Sequence, residues 1–232
     1  MTRPRIAIPG RFTASASALR YQGVVTARRL ADAIWRAGGD PITILPATGS
    51  DAHAWSDRLD GIAGVLLPGG GDVNPERYGR SADDPSLYDV DDLQDESDLS
   101  LAAFALDSAL PLLAICRGLH VVNTLRGGTL VTDMPVRHRH HIHRVQVTVP
   151  SPDLGLPQDA LTSSCYHHQC IDDLGADLTA VAYADDGTIE AVAITSPGWA
   201  LGVQWHPEDT YDTDPNQQAI FAALITAART HA

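Results

Sequence analysis

Pro111-Leu112-Leu113-Ala114-Ile115-Cys116-Arg117-Gly118-Leu119-His120 is an apolar run that reaches one cysteine and then a glycine. Leu119, Val122, Asn123 and Leu125 follow with helical spacing. The apolar part reads as a strand buried on both faces, as in the middle of a parallel sheet. Cys116 then falls where the strand turns into a helix, and Gly118 leaves room for close packing at that turn. A sulfur at a helix N-terminus meets the positive end of the dipole and free backbone N–H groups. Such a place favours a thiolate and can receive an oxyanion. Cys116 therefore reads as a nucleophile on an elbow, although a buried structural cysteine fits the same stretch.

Around this elbow the chain is that of a globular α/β protein. Its 232 residues suit one domain, 1–232, and its composition is 44% hydrophobic and 19% charged. The net charge of -13 argues against nucleic acid or an anionic membrane as the main partner. Three cysteines do not make a disulfide framework. The N-terminus enters a short strand at once, without the pattern of a secretory signal, and no run approaches a membrane span. The expectation is a cytoplasmic protein.

Working outward, Arg5 to Pro9, Ile42 to Leu45 and Ile62 to Leu67 read as further strands. Arg11 to Arg20 reads as a loop, and Tyr21 to Ala37 as a helix stopped by Gly38-Gly39. This is the opening of a parallel sheet with crossover helices. The third strand ends in Pro68-Gly69-Gly70-Gly71-Asp72-Val73-Asn74-Pro75. Glycines at the carboxyl edge of a parallel strand let backbone N–H groups approach a ligand; a flexible turn is the plainer reading. Ser81 to Asp98 carries eight aspartates and glutamates (Asp83, Asp84, Asp89, Asp91, Asp92, Asp95, Glu96, Asp98). It reads as a solvated stretch that reaches over the site, with Leu99 to Leu110 as the following helix.

The histidine-dense stretch Arg137 to Arg144 tempts a metal reading, since His138, His140 and Ile142 would alternate onto one strand face. No carboxylate or cysteine stands at convincing spacing and the flanking arginines would repel a cation, so no metal and no cofactor is expected. Asp177 to Ala184 and Thr188 to Thr195 form a hairpin, and Pro215 to His231 a last helix. Ala200 to Glu208 is a strand running into His206-Pro207-Glu208. A strand period of two puts His206 and Glu208 on one side, where the carboxylate can hold one imidazole nitrogen and leave the other for a thiol. That is the base and orienter which nucleophilic catalysis requires.

These motifs together resemble the class I glutamine amidotransferase superfamily, and within it the γ-glutamyl-γ-aminobutyrate hydrolase (peptidase C26) family. The resemblance rests on Pro68 to Pro75, Ala114-Ile-Cys116-Arg-Gly118, His167-His168-Gln169, Ala184 to Ala191 and Gly202 to Glu208. It implies a flavodoxin-like three-layer sandwich with a mainly parallel sheet and a small antiparallel hairpin region. It implies a catalytic triad of Cys116, His206 and Glu208, with an oxyanion hole formed by the N–H groups of Arg117 and Gly70. His167, His168 and Gln169 match the part of the family that lines the glutamyl pocket. The chain departs from the pattern at Ala114, usually glycine, at His120, usually a glutamine associated with substrate contact, and at Gln94, usually arginine.

The chemistry implied is hydrolysis of a γ-glutamyl amide, such as γ-glutamyl-GABA or another γ-glutamylated amine of polyamine and GABA catabolism. It releases glutamate through a thioester. One alternative is a glutaminase subunit supplying ammonia to a partner synthase. Another is a catalytically retired binding or regulatory protein on the same fold, which His120 and Gln94 alone support. The expected partner is a small γ-glutamyl substrate; a homodimer would be a common arrangement.

Overall fold

A computed structural model describes residues 2–17, 19–46 and 55–231. Ala18, in the expected loop, lies outside the described residues. The chain order is β1 (Arg5–Pro9), β2 (Arg11–Thr13), β3 (Gly23–Val25), α1 (Arg28–Ala37), β4 (Asp40–Ile44), α2 (Trp55–Arg58) and β5 (Gly64–Leu67). Then follow α3 (Asp92–Asp107), β6 (Leu112–Ile115), α4 (Arg117–Leu125), β7 (Leu130–Val131), β8 (His138–Val147), β9 (Ala160–His167) and β10 (Cys170–Ile171). The chain closes with β11 (Leu178–Ala184), β12 (Ile189–Ile194), β13 (Ala200–Val203) and α5 (Pro215–His231).

Nine strands form one sheet in the order β4-β1-β5-β6-β13-β12-β11-β8-β9. The first five are mutually parallel. Numbered by their own succession along the chain, they lie in the flavodoxin-like order 2-1-3-4-5. The remaining four pair antiparallel, so the hairpin expected at β11 and β12 is part of a four-stranded extension. Alternation along the buried strands sorts their side chains into two cores. Ile6, Ile8, Leu113, Ile115, Leu201 and Val203 pack under α1 and α5. Ala7, Val65, Leu67, Leu112 and Ala114 face Leu101, Ala105 and Leu106 of α3 and Leu119 and Val122 of α4. Helices on both faces of the sheet give the three layers.

Three boundaries depart from the sequence reading. The helix expected from Tyr21 starts at Arg28, because Gly23–Val25 pairs with Arg11–Thr13 as a small ribbon. Its end is as expected, with Gly38 at φ 98°. The helix expected at Leu99 begins at Asp92, where the Asp91 carboxylate accepts from the N–H groups of Leu93 and Gln94. The histidine stretch is strand from His138 onward, paired with β9, but a register shift between Arg139 and His141 breaks the simple alternation.

The elbow is sharp. Cys116 adopts φ 50° and ψ -107°, a region L-residues seldom occupy, and its N–H donates to the Val203 carbonyl oxygen at 2.8 Å. Two residues on, α4 passes so close to β5 that a Cβ at Gly118 would stand 2.5 Å from the Leu67 carbonyl oxygen. Both sides of that contact are backbone. Gly118→Ala is therefore expected to lower stability by about 1–3 kcal/mol, the usual cost of overpacking. A thermal or urea denaturation curve superimposable on that of the unaltered chain would contradict this.

Candidate active site

The parallel strands all deliver their carboxyl ends to one rim. β1 leads to Arg11, β5 to the glycine loop, β6 to Cys116 and β13 to His206. A cleft of about 660 Å³ opens there, with Arg11, Gly70, Cys116, Arg117, Tyr166 and His206 on its walls. Tyr88, Asp89, Val90 and Asp91 close another side, so part of the acidic stretch does reach over the site. A small inner recess continues past Cys116 and is walled by Asp72, His120, His167, His168 and Gln169. The structure thus brings Gly70, Cys116, Arg117 and His206 to the cleft and His120, His167, His168 and Gln169 to the recess, while Glu208 stands behind His206.

His206 Nδ1 lies 2.8 Å from Glu208 Oε1, so this nitrogen donates and leaves Nε2 for Cys116. The contact is not made by strand alternation, as expected, because β13 ends at Val203. Pro207 instead opens a single 3₁₀ turn over Pro207–Asp209, which folds Glu208 back onto the imidazole. Arg29 of α1 fixes that turn by donating to the backbone carbonyls of Glu208 at 2.8 Å and Asp209 at 2.7 Å. Burial works against charge on His206, but Glu208 and then Cys116 outweigh it and hold its pKa well above the usual 6.5. Gly69 fits between the two partners: a Cβ there would be 2.8 Å from His206 Cε1 and 3.7 Å from Cys116 Cβ.

Other residues at the site escaped the sequence reading. Asp95 and Asp98 are fully buried rather than solvated, and both grip the guanidinium of Arg117. Asp98 also takes Arg11 Nη1 at 2.5 Å, while Arg11 donates to the carbonyls of Pro68 at 2.7 Å and Gly69 at 3.0 Å. Gln94, where the family pattern has arginine, donates to Asp98 at 3.1 Å. Desolvation alone would push the Asp98 carboxyl up, yet the two guanidinium groups hold it below its ordinary range. Gln204 donates towards Cys116 Sγ at 3.9 Å and accepts from His120 Nε2 at 2.8 Å. The strand period that pointed to His206 could have found Gln204, two residues before it.

His168 is held from both ends. Nε2 meets Asp72 Oδ1 at 3.0 Å and Nδ1 meets Asp133 Oδ1 at 3.1 Å. Two carboxylates require two N–H donors, so the ring is an imidazolium. The bond to Asp72 raises its pKa most; burial opposes this and Asp133 supports it. Asp72 in turn accepts from the Tyr88 N–H at 3.0 Å, which ties the glycine loop to the acidic stretch.

Such a rim, with a cysteine elbow, a histidine–glutamate pair and a glycine loop on a flavodoxin-ordered sheet, defines a glutamine-amidotransferase-like hydrolase. Residues 4–208 match the peptidase C26 family model, and the chain belongs to that family. It is 30% identical over 219 residues to the gamma-glutamyl-gamma-aminobutyrate hydrolase PuuD of Escherichia coli K12, covering 86% of this chain and 85% of that one. It is 29% identical over 218 residues to protein NtpR of Enterococcus hirae, covering 88% of this chain and 90% of that one. Among solved structures, a Thermoplasma acidophilum protein provisionally assigned as a GMP synthase subunit superposes with a TM-score of 0.69 at 18% identity. That match covers 99% of this chain and 96% of the other, and it supports the fold. No described helix is long and apolar enough to cross a membrane.

These contacts have measurable effects on stability. Asp98→Ala leaves the buried guanidinium of Arg117 and the part-buried one of Arg11 short of a partner and should cost about 3–5 kcal/mol; a denaturation midpoint unchanged by the substitution would refute the network's importance. For His168 the folded pKa lies above the unfolded value of 6.5. Its stabilisation is then complete below that value and lost as pH rises through the folded pKa. The difference in Tm between the unaltered chain and His168→Gln should shrink as pH rises from 6.5 through the folded pKa, and a difference independent of pH would contradict the charged latch.

Proposed function

We propose that this protein hydrolyses γ-glutamyl amides, with Cys116 as nucleophile, His206 as acid and base and Glu208 as the residue that orients it. The convergence of Cys116, His206 and a glycine loop on one cleft, with Glu208 bound to the far side of the imidazole, is the observation that carries the reading. Cys116 Sγ, its proton taken by His206, attacks the side-chain carbonyl carbon of the glutamyl group. The carbonyl oxygen becomes an oxyanion facing the N–H of Arg117, one of the first amides of α4 without an intrahelical acceptor, and that of Gly70. His206 passes a proton to the departing nitrogen, the C–N bond breaks and a γ-glutamyl thioester remains. Water, losing a proton to His206, attacks the thioester carbonyl; glutamate leaves and the thiol is restored.

The recess walled by His120, His167, His168 and Gln169 is assigned to the glutamyl end. The cleft on the other side of Cys116 takes the amine. Asp89 and Asp91 on its wall support γ-glutamylated amines that carry a further positive charge. The membership of peptidase C26 and the likeness to a gamma-glutamyl-gamma-aminobutyrate hydrolase support the same reading.

The test is a panel of γ-glutamyl amides, with γ-glutamyl-GABA, γ-glutamylated diamines and free glutamine included, assayed for glutamate release. At least one amide should be turned over, and Cys116→Ala should lose more than about 10³-fold in rate, since triad members act as a unit. Equal release by both proteins, or none from any amide, would overturn the assignment.

A further inference from the structure

Three strands of the antiparallel extension bring His138, Cys165, His167 and Glu190 together below the recess. All four are buried, and one ligand atom of each lies within 4.8 Å of the others. β8 supplies the first, β9 the next two and β12 the last.

The hydrogen bonds around them decide where the protons are. His167 Nδ1 is 2.9 Å from the Gln169 carbonyl oxygen, which can only accept, so Nδ1 carries the proton. Nε2 is then a bare lone pair on a residue only 3% exposed. It has no hydrogen-bond partner among the described residues, and it faces Glu190 Oε1 at 3.6 Å. His138 is held differently. Its Nε2 donates to Asp186 Oδ2 at 3.0 Å and its Nδ1 to the same Glu190 oxygen at 3.2 Å, so without a metal the ring bridges two carboxylates as an imidazolium. A metal ion would replace that Nδ1 proton and give the bare Nε2 of His167 the partner it lacks. Cys165 Sγ, 3.7 Å from Glu190 Oε2, completes the set.

We propose that these four residues bind a zinc ion. Two imidazole nitrogens, a thiolate and a carboxylate are a tetrahedral zinc donor set, and the thiolate disfavours magnesium or calcium. Outer contacts of the kind that orient zinc ligands are in place: the Gln169 carbonyl on His167, the Asp186 carboxylate on His138, and His143 Nε2 at 3.1 Å from Cys165 Sγ. Four protein ligands leave no open position, so the ion is structural: it cross-links β8, β9 and β12 and seats the His167-His168-Gln169 wall. Spacing along the chain hides this set, because Cys165 and Glu190 are remote from the histidine stretch. The neighbouring arginines do not oppose a cation, since Arg137 pairs with Asp133 at 2.7 Å and Arg139 lies over the rings of Tyr88 and Tyr166.

The experiment reads metal directly, apart from activity. Protein from zinc-supplemented cells is expected to carry about one zinc per chain by mass spectrometry, with a Tm that falls on chelation. Cys116→Ala protein, which removes the thiol of the cleft, is stripped and titrated with cobalt(II). A sulfur-to-cobalt charge-transfer band and tetrahedral visible bands should saturate near one equivalent. The band should vanish with the added change Cys165→Ser and persist with Cys170→Ser. If Cys165→Ser does not fold, the Cys116→Ala, Cys170→Ser protein keeps Cys165 as its sole thiol and must still give the band. Protein isolated without zinc whose folded form gives no such band, or a band that survives Cys165→Ser, overturns the proposal.

Discussion

The burial of Arg117 constrains everything else at the rim. Its guanidinium sits out of water between Asp95 and Asp98, both of which are fully buried. Each of these ions would cost several kcal/mol to desolvate alone, so none can move without stranding the others. Asp98 extends the same constraint to Arg11, and Arg11 to the carbonyls of Pro68 and Gly69. The ends of β1, β5 and β6 are thereby bound into one arrangement. The residue that follows Cys116 in the chain is held by charge on its side chain, and its backbone N–H is the one proposed to meet the oxyanion.

The strained backbone of Cys116 makes sense in that setting. A φ of 50° at a non-glycine residue costs on the order of 1–3 kcal/mol and persists only where neighbours over-determine it. Here the Cys116 N–H is bound to Val203, α4 starts at the next residue, and the following side chain is clamped by two carboxylates.

Much of this was legible in the residues. The buried parallel strands announce themselves as short apolar runs ending in glycine or a polar cluster, and Cys116, His206 and Glu208 each follow one. What stayed hidden depends on contacts between distant segments. Asp91 is a helix cap, but it stands in a run of eight acidic residues and looks no different from its neighbours. Asp95 and Asp98 belong to the same run, and only the approach of Arg117 shows that they are interior. The start of α1 has no capping side chain, since Ala27 occupies that place, so nothing local marks it. The bend at His140, with φ 52°, breaks the alternation on which any facial reading of the histidine strand relied.

His120 illustrates how a departure from a family pattern can be absorbed. Burial drives its pKa down to about 3, so the ring is neutral, and its Nε2–H must donate because Gln204 Oε1 can only accept. With Oε1 taken up by His120, the NH₂ end of the Gln204 amide is the one turned to the sulfur. The amide is a rotor locked by a neighbour that never reaches the sulfur itself, and its polarity at Cys116 stays the same from mildly acidic to alkaline conditions while His206 gains and loses its proton.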